Sequence, residues 1–228
     1  MEQKLKVTNA LSDPTRFNIY QHIIEQSEAV TVNEIAKAFD IHPNVARMHL
    51  SKLEDVELVI SYTKKTGKGG RPSRLYELSN HVIELNFPHR DYKLLSSIAL
   101  ETLAKLGSSG KKALFDTGFT YGQQIMTYNQ DASTLSTEEK LKMLRDASKL
   151  LGMYADFQYS ESDQTITYTI NNCPFKEVAT ENDAICHMHE YFLKGMFESL
   201  FEDITLLETN NILDGCKNCT YIAKLSVV

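Results

Sequence analysis

The chain has 228 residues, of which 42% are hydrophobic and 24% are charged, and its formal net charge is −6. This composition supports ordinary buried cores and is not typical of a disordered chain. The charge is uneven, because residues 1–80 hold 11 Lys+Arg and 10 Asp+Glu whereas the remainder holds 13 and 20. The overall acidity argues against a general nucleic-acid coat protein but permits a local basic face in the N-terminal part.

The sequence indicates neither a secretion signal nor a membrane span. Residues Met1 to Asn9 include polar side chains throughout, and no apolar run approaches the ~20 residues that a membrane helix needs. We therefore expect a cytoplasmic protein with no membrane partner. Thiols stay reduced in the cytoplasm, so the four cysteines are expected to be ligands, redox groups or core residues rather than structural disulfides.

Residues 31–76 predict a winged helix-turn-helix. Thr31 and Glu34 have the spacing of a capping box at the start of one helix, and Pro43 suits the first turn of a second helix. Five apolar residues at helical spacing are expected to form the inner face of the second helix: Val45, Ala46, Leu50, Leu53 and Val56. Four others are expected to face outward and meet base edges in the major groove: Asn44, Arg47, Met48 and His49.

A basic hairpin is predicted to follow as the wing. Strands are expected at 58–60 and 75–78 around a turn at 66–70, and residues 58–76 contain no acidic side chain. Five cations in this hairpin are expected to hold phosphates: Lys64, Lys65, Lys68, Arg71 and Arg74. A short basic run alone would equally suit a solvated loop, but together with the helical pair it predicts binding to a double-stranded DNA operator.

These segments resemble the ArsR/DeoR-like winged-helix repressors. The resemblance covers about the first eighty residues and rests on four matching segments: 10–16 (ALSDPTR), 49–54 (HLSKLE), 70–72 (GRP) and 75–78 (LYEL), with Leu58-Val59 entering the wing. Such proteins usually carry glycine where this chain has Glu57. Because that glycine normally adopts the left-handed conformation that ends a helix, Glu57 is expected to be strained or to end the helix differently.

The second half predicts an α+β domain. Helices are expected at 92–106, 111–126, 137–151 and 184–201, and strands at 156–160, 165–170, 204–208 and 220–227, forming a small antiparallel sheet with helices on one side. Gly118 and Gly122 lie four residues apart, which suggests close helix packing. We place a DNA-binding domain at 1–83 and a sensor and dimerisation domain at 90–228, with the junction at 80–89.

All four cysteines lie in the last third of the chain: Cys173, Cys186, Cys216 and Cys219. A Cys-x-x-Cys turn lets two thiolates point at one ion, and two distant cysteines can complete a four-sulfur shell. A helix N-terminus would also help Cys186 to ionise. The alternatives are a thiol redox pair or inert core cysteines. On a helix His187 and His189 point to different faces, so at most one could join a shell with Cys186, and both are expected at the surface.

This half resembles the iron–sulfur-sensing SufR-like repressors, and it shares its pattern with cysteine-bearing 4-vinyl-reductase-like sensor domains. The resemblance spans roughly 165–228 and rests on 173–175 (CPF) with Ala179, on Ile185-Cys186, on Gly215 and on 219–222 (CTYI). Relatives with a cluster carry another cysteine between the ones matched by Cys186 and Cys219, whereas here the extra cysteine is Cys216. The resemblance implies an iron–sulfur cluster, with zinc as the alternative.

The sequence therefore predicts a homodimeric transcriptional regulator, and the resemblance favours a repressor whose operator affinity depends on a four-cysteine cluster or metal. A small-molecule sensor with structural zinc and a thiol-based redox switch remain as alternatives. An enzyme finds no support, because the chain has no Ser-His-Asp spacing, no phosphate-binding glycine loop and no carboxylate pair in a suitable context.

Overall fold

The computed structural model describes residues 2–26, 28–64, 73–80, 82–83, 85, 88–126 and 134–225. The chain divides into two compact units, Met1–Arg90 and Asp91–Val228. Within the described residues, no helix combines the length and the apolar character needed to cross a membrane.

The N-terminal unit has the predicted order of helix, turn, helix and hairpin. Its strands form an antiparallel sheet in the order β1-β3-β2, in which β2 and β3 pair from Val59 opposite Leu78 to Lys64 opposite Ser73. Its described elements are α1 (Glu2–Leu11), α2 (Pro14–Gln26), β1 (Val30–Thr31), α3 (Val32–Ala38), α4 (Pro43–Glu54), β2 (Val59–Lys64) and β3 (Ser73–Leu78).

Local sequence signals set the ends of the two central helices. The Thr31 hydroxyl accepts a hydrogen bond from the Glu34 amide, and the Glu34 carboxylate accepts one from the Thr31 amide at 2.6 Å, as the capping box predicts. Pro43 occupies the first turn of α4. Leu50 and Leu53 are fully buried against α2 and α3, whereas Val45, which we expected in the core, is 37% exposed. The N-terminal turn of α4 therefore projects beyond the core.

Glu57 adopts the left-handed conformation that the departure from glycine predicts. Its φ is +60°, and its amide donates to the Glu54 carbonyl while the Leu58 amide donates to the Leu53 carbonyl. These bonds end α4 in the manner that glycine normally provides. The wing thus begins where the glycine-containing proteins begin theirs, with some strain held at Glu57.

The C-terminal unit is an α+β fold with a four-stranded antiparallel sheet in the order β4-β5-β7-β6. The α+β prediction is confirmed. The described elements are α5 (Tyr92–Lys105), α6 (Ser108–Met126), α7 (Thr137–Leu150), β4 (Asp156–Ser160), β5 (Thr165–Ile170), α8 (Lys176–Ala179), α9 (Ala184–Glu198), β6 (Ile204–Asn210) and β7 (Cys219–Leu225).

The core of this unit lies between the helices and the inner strands. Leu144 of α7, Tyr168 of β5, Phe197 of α9 and Tyr221 of β7 are all buried within one cluster. Because β5 and β7 are the central strands, this packing fixes the position of the loops that leave their ends. Two of the cysteines lie at those ends.

Helices α6 and α9 pack unusually closely. Gly118 and Gly122 on α6 are buried, and an added Cβ at Gly122 would overlap the carbonyl oxygen of Phe192 on α9. Gly195 on α9 faces the backbone of Phe119 in the same way. The prediction of close packing at Gly118 and Gly122 is confirmed, and α9 is thereby held rigidly beside the sheet.

Helix α5 differs from its neighbours, because none of its 14 residues is buried. Its exposed side chains include Leu94, Leu95 and Ile98, which are 57%, 62% and 55% exposed. A helix with this apolar content is normally covered by another surface.

Candidate nucleic-acid interface and cysteine site

The exposed face of α4 carries three of the predicted base-contacting residues. Asn44, Arg47 and Met48 are exposed and lie three or four residues apart, so they share one side of the helix. The Arg47 guanidinium donates to the Asn44 side-chain oxygen at 3.3 Å, and the His42 ring caps the helix by accepting from the Asn44 amide at 3.2 Å. These contacts orient the polar groups at the N-terminal end of α4.

His49 does not belong to this face, so its predicted outward position is wrong. It is 4% exposed, and burial lowers its pKa while the nearby Asp13 carboxylate partly opposes that effect. The reason is periodicity, because His49 lies three residues after Ala46 and four before Leu53 and so falls on the buried stripe. His49 is therefore a residue of the helix-packing interface.

The strands that would carry the wing are formed as predicted. Lys64 is exposed at the last position of β2, opposite Ser73. The turn at 66–70, together with Lys65, Lys68 and Arg71, lies outside the described residues. Their predicted phosphate contacts stay predictions.

Arg74 is engaged within the protein. Its guanidinium donates to both carboxylate oxygens of Glu54, at 2.7 and 2.9 Å, and to the Ser61 hydroxyl at 2.8 Å, and it lies 5.3 Å from the centre of the Tyr76 ring. A bidentate pair of this kind fixes both partners. Arg74 therefore fastens β3 to the end of α4, which corrects its expected role as a free phosphate contact.

Two further residues border the exposed face of α4. Asn33 of α3 and Ser73 of β3 line a shallow groove together with Arg47 and Arg74. Neither was predicted, because the periodicity of α4 gives no information about which residues of α3 and β3 lie beside it. Their polar side chains extend the candidate interface beyond one helix.

Three cysteines converge at one end of the C-terminal sheet. Cys219 begins β7 opposite Ile170 at the end of β5, Cys173 follows β5, and Cys186 lies in the first turns of α9. Charge on Cys219 raises the pKa of both Cys173 and Cys186, and charge on Cys186 raises that of Cys173. Thus the three sulfurs lie within electrostatic range of one another. All four cysteines of the chain are free thiols.

Burial keeps these three cysteines protonated. It is the main cause that raises the pKa of Cys173 to about 11, and it also raises the pKa of Cys186 and Cys219. The expectation that the start of α9 would help Cys186 to ionise is therefore wrong for the metal-free protein, because loss of water outweighs the helix terminus. A bound metal would have to displace these protons.

Polar groups around the sulfurs are placed to support thiolates. The backbone amides of Phe175 and Ile212 donate to Cys173 and Cys219, and the Asn211 side chain donates to Cys186. Hydrogen bonds of this kind commonly surround metal-bound sulfur. Nevertheless, among the described residues no three His, Cys, Asp or Glu side chains are already arranged around one point in metal-binding geometry.

Cys216 and the two histidines lie differently from one another. Cys216 is exposed in the turn that follows Gly215, whose φ is +84°. The His187 side chain is 61% exposed, as predicted, whereas His189 is only 4% exposed, which corrects its expected surface position. The Nδ1 atom of His189 lies 3.8 Å from the Cys173 sulfur.

Comparison with known proteins identifies the class of the N-terminal unit. Residues 11–62, which span α2, α3 and α4, match the profile of the helix-turn-helix domain family. The chain is accordingly a helix-turn-helix DNA-binding protein of the kind found among transcriptional regulators. No curated protein matches the chain.

Two solved structures are distantly similar. The phenol-responsive sensory domain of the transcription activator PoxR, solved with phenol, gives a TM-score of 0.45 at 15% identity and covers 78% of this chain and 89% of that one. A trafficking protein particle complex subunit 3 from Naegleria fowleri, covalently bound to palmitic acid, gives 0.37 at 14% identity, covering 60% and 91%. Similarity at this level does not indicate what this chain binds.

Proposed function

We propose that the protein is a homodimeric transcriptional repressor whose operator affinity is controlled by a metal or iron–sulfur cluster bound to its cysteines. The observation that carries the proposal is the convergence of Cys173, Cys186 and Cys219 from three separate segments at one end of a sheet, in a chain with a helix-turn-helix domain. Repression rests on the resemblance to ArsR/DeoR-like and SufR-like proteins.

The DNA-binding half of the proposal rests on the exposed face of α4. Asn44 and Arg47 present amide and guanidinium groups, which are the side-chain groups best suited to read adenine and guanine edges. Lys64 at the end of β2 stands where a wing would approach the phosphates.

Replacing Arg47 with Ala should weaken binding to the true operator by roughly 1–3 kcal/mol and change binding to random DNA only slightly. Lys52→Ala is the matched control, because Lys52 is exposed on the same helix five residues later and about 140° around its axis. Affinities measured at one salt concentration by fluorescence anisotropy check this. An equal loss on operator and random DNA would show that Arg47 touches only phosphate.

The sensing half rests on the chemistry of the cysteines. Three buried sulfurs with amide donors beside them fit a soft metal or a cluster, for which Cys173, Cys186 and Cys219 would be ligands and Cys216 is the fourth cysteine that the sequence offers. When bound, an iron–sulfur cluster supplies redox sensitivity, whereas zinc supplies only structural support. The buried thiols favour this use over a thiol switch, since a protonated thiol is a poor nucleophile.

Replacing Cys173, Cys186 or Cys219 with Ser should each remove most of the bound metal, because a serine oxygen is a poor ligand for soft metals. Double variants should lose no more than single ones, since an emptied site has nothing left to lose. Metal analysis and absorbance of anaerobically purified protein check this, and a brown colour distinguishes a cluster from zinc. Full metal content in all three variants would remove the sensing mechanism.

Dimerisation is supported by α5, whose exposed apolar side chains require a covering surface. We assign that surface to α5 of a second copy. Asp91 caps the N-terminus of α5 and Lys105 lies in its last turn, so two antiparallel copies would place opposite charges at both ends of the contact. The helix is self-complementary in this arrangement, as a two-fold interface requires.

Replacing both Leu95 and Ile98 with Glu should therefore convert the dimer to a monomer, because burying two carboxylates without partners costs several kcal/mol. Sedimentation equilibrium of the full chain measures the change. Leu150→Glu is the matched control, since Leu150 is 79% exposed but lies on α7, and it should leave the dimer intact. A dimer that persists with both glutamates places the interface elsewhere.

A further inference from the structure

His189 is a buried histidine that the proposed function does not use. Only 4% of its surface is exposed, its ring packs edge-on against Phe175 at 5.0 Å between centroids, and Phe192 lies on another side at 6.2 Å. Burial lowers its pKa to about 4, so the ring is neutral near pH 7. A neutral imidazole is the form that binds metals.

The polar contacts of His189 are as unusual as its burial. Nε2 is buried without a hydrogen-bond partner, and the polar neighbour of Nδ1 is the sulfur of Cys173 at 3.8 Å. A buried polar atom left without a partner costs about 1–3 kcal/mol, and such a group in a native protein calls for a functional explanation. Packing alone would be served as well by leucine or phenylalanine.

The separation of the two atoms fits a shared metal ion. A tetrahedral zinc bonds sulfur at about 2.3 Å and imidazole nitrogen at about 2.1 Å, which places the two ligand atoms about 3.6 Å apart. The observed distance of 3.8 Å is close to this value. His189 also lies three residues after Cys186 on α9, so the two side chains share one face of the helix.

Cys216 is less well placed than His189. It is exposed, and its charge acts on Cys219, whereas the main influences on Cys173 and Cys186 come from Cys219 and from groups beside it. The sulfurs nearest to the centre of the cluster are therefore the three buried ones.

We propose that His189 is the fourth ligand of the metal site, with Cys173, Cys186 and Cys219, and that Cys216 remains free. The inference rests on the proposed function, since it names the ligands of the same site. A shell of three thiolates and one imidazole is an established arrangement for zinc, and nitrogen in place of one sulfur would also raise the potential of an iron–sulfur cluster.

The test uses the full-length protein, emptied of metal under anaerobic conditions and titrated with Co²⁺, whose thiolate charge-transfer absorbance increases with the number of bound sulfurs. Cys216→Ser should bind Co²⁺ with unchanged affinity and unchanged absorbance per ion. His189→Leu should weaken binding by more than about tenfold. His189→Cys should restore binding and increase the charge-transfer absorbance by about one third, since three thiolates become four.

Two controls separate ligation from folding. His187→Leu changes an exposed histidine two residues earlier and should leave Co²⁺ binding unchanged. The metal-free His189→Leu protein should unfold at the same temperature as the wild type or higher, because the variant removes a buried nitrogen that has no partner.

The outcomes distinguish this inference from the proposed function. Loss of Co²⁺ binding in Cys216→Ser, or unchanged binding in His189→Leu, would overturn the assignment of His189 while leaving a cysteine site in place. A wild-type protein that binds neither Co²⁺ nor iron would overturn both.

Discussion

Replacing Gly122 with Ala is expected to destabilise the C-terminal unit by about 3 kcal/mol or more, since overpacking of a tight contact typically costs 1–3 kcal/mol and here the obstacle is backbone. The added methyl carbon would overlap the Phe192 carbonyl oxygen, and it would lie 2.9 Å from the Phe192 carbonyl carbon and 3.1 Å from the Met196 amide nitrogen. A rotamer change cannot relieve this contact, so α6 and α9 must move apart.

Hydrogen exchange of the α9 amides measures this effect, because protection falls when the helix opens more readily. Gln124→Ala, at an exposed position two residues later on α6, is the matched control and should leave protection unchanged. Because Cys186 and His189 lie on α9, Gly122→Ala should also weaken Co²⁺ binding. Wild-type protection in Gly122→Ala would mean that the helices do not approach as closely as the structure shows.

Replacing Arg16 with Met is expected to destabilise the N-terminal unit by about 3 kcal/mol. Arg16 is 6% exposed, and its guanidinium donates to the carbonyl oxygens of Ala10 and Asn9 near the end of α1, the latter at 3.2 Å. Methionine keeps the apolar stem but leaves both carbonyls without these donors. Hydrogen bonds from charged groups contribute about 1.5–3 kcal/mol each, and two are lost.

Hydrogen exchange of the α1 and α2 amides checks this prediction, with Asn18→Ala as the control at an exposed position of α2. Arg16→Lys should recover part of the loss, since one ammonium can satisfy one carbonyl but cannot span both as the planar guanidinium does. Equal protection in all three variants would show that the end of α1 is held by packing alone.

Local signals determined most of the secondary structure. The capping box at Thr31 and Glu34, the proline at the start of α4 and the alternating strands β4 and β5 depend on residues close in sequence, so their positions could be read from the chain. The strain at Glu57 was also predictable, because one backbone position required a left-handed residue.

The candidate site was only partly predictable. The clustering of Cys173, Cys186 and Cys219 followed from the predicted order of strands and helices, but their protonation did not, because burial depends on the packing of the whole unit. His49 and Arg74 were misassigned for a related reason. Composition marks a side chain as polar, but only its neighbours decide whether it faces solvent, the core or an internal carboxylate.

By itself the sequence determined the helix-turn-helix, the α+β class of the second unit and the set of residues able to bind DNA or metal, since these follow from periodicity, capping and residue chemistry. Only the tertiary structure decided which of these residues are available. It buried His189 beside Cys173, tied Arg74 to Glu54, and left the apolar side chains of α5 uncovered. The physical reason is that burial, pKa and ion pairing depend on groups distant in sequence, which are brought together only by folding.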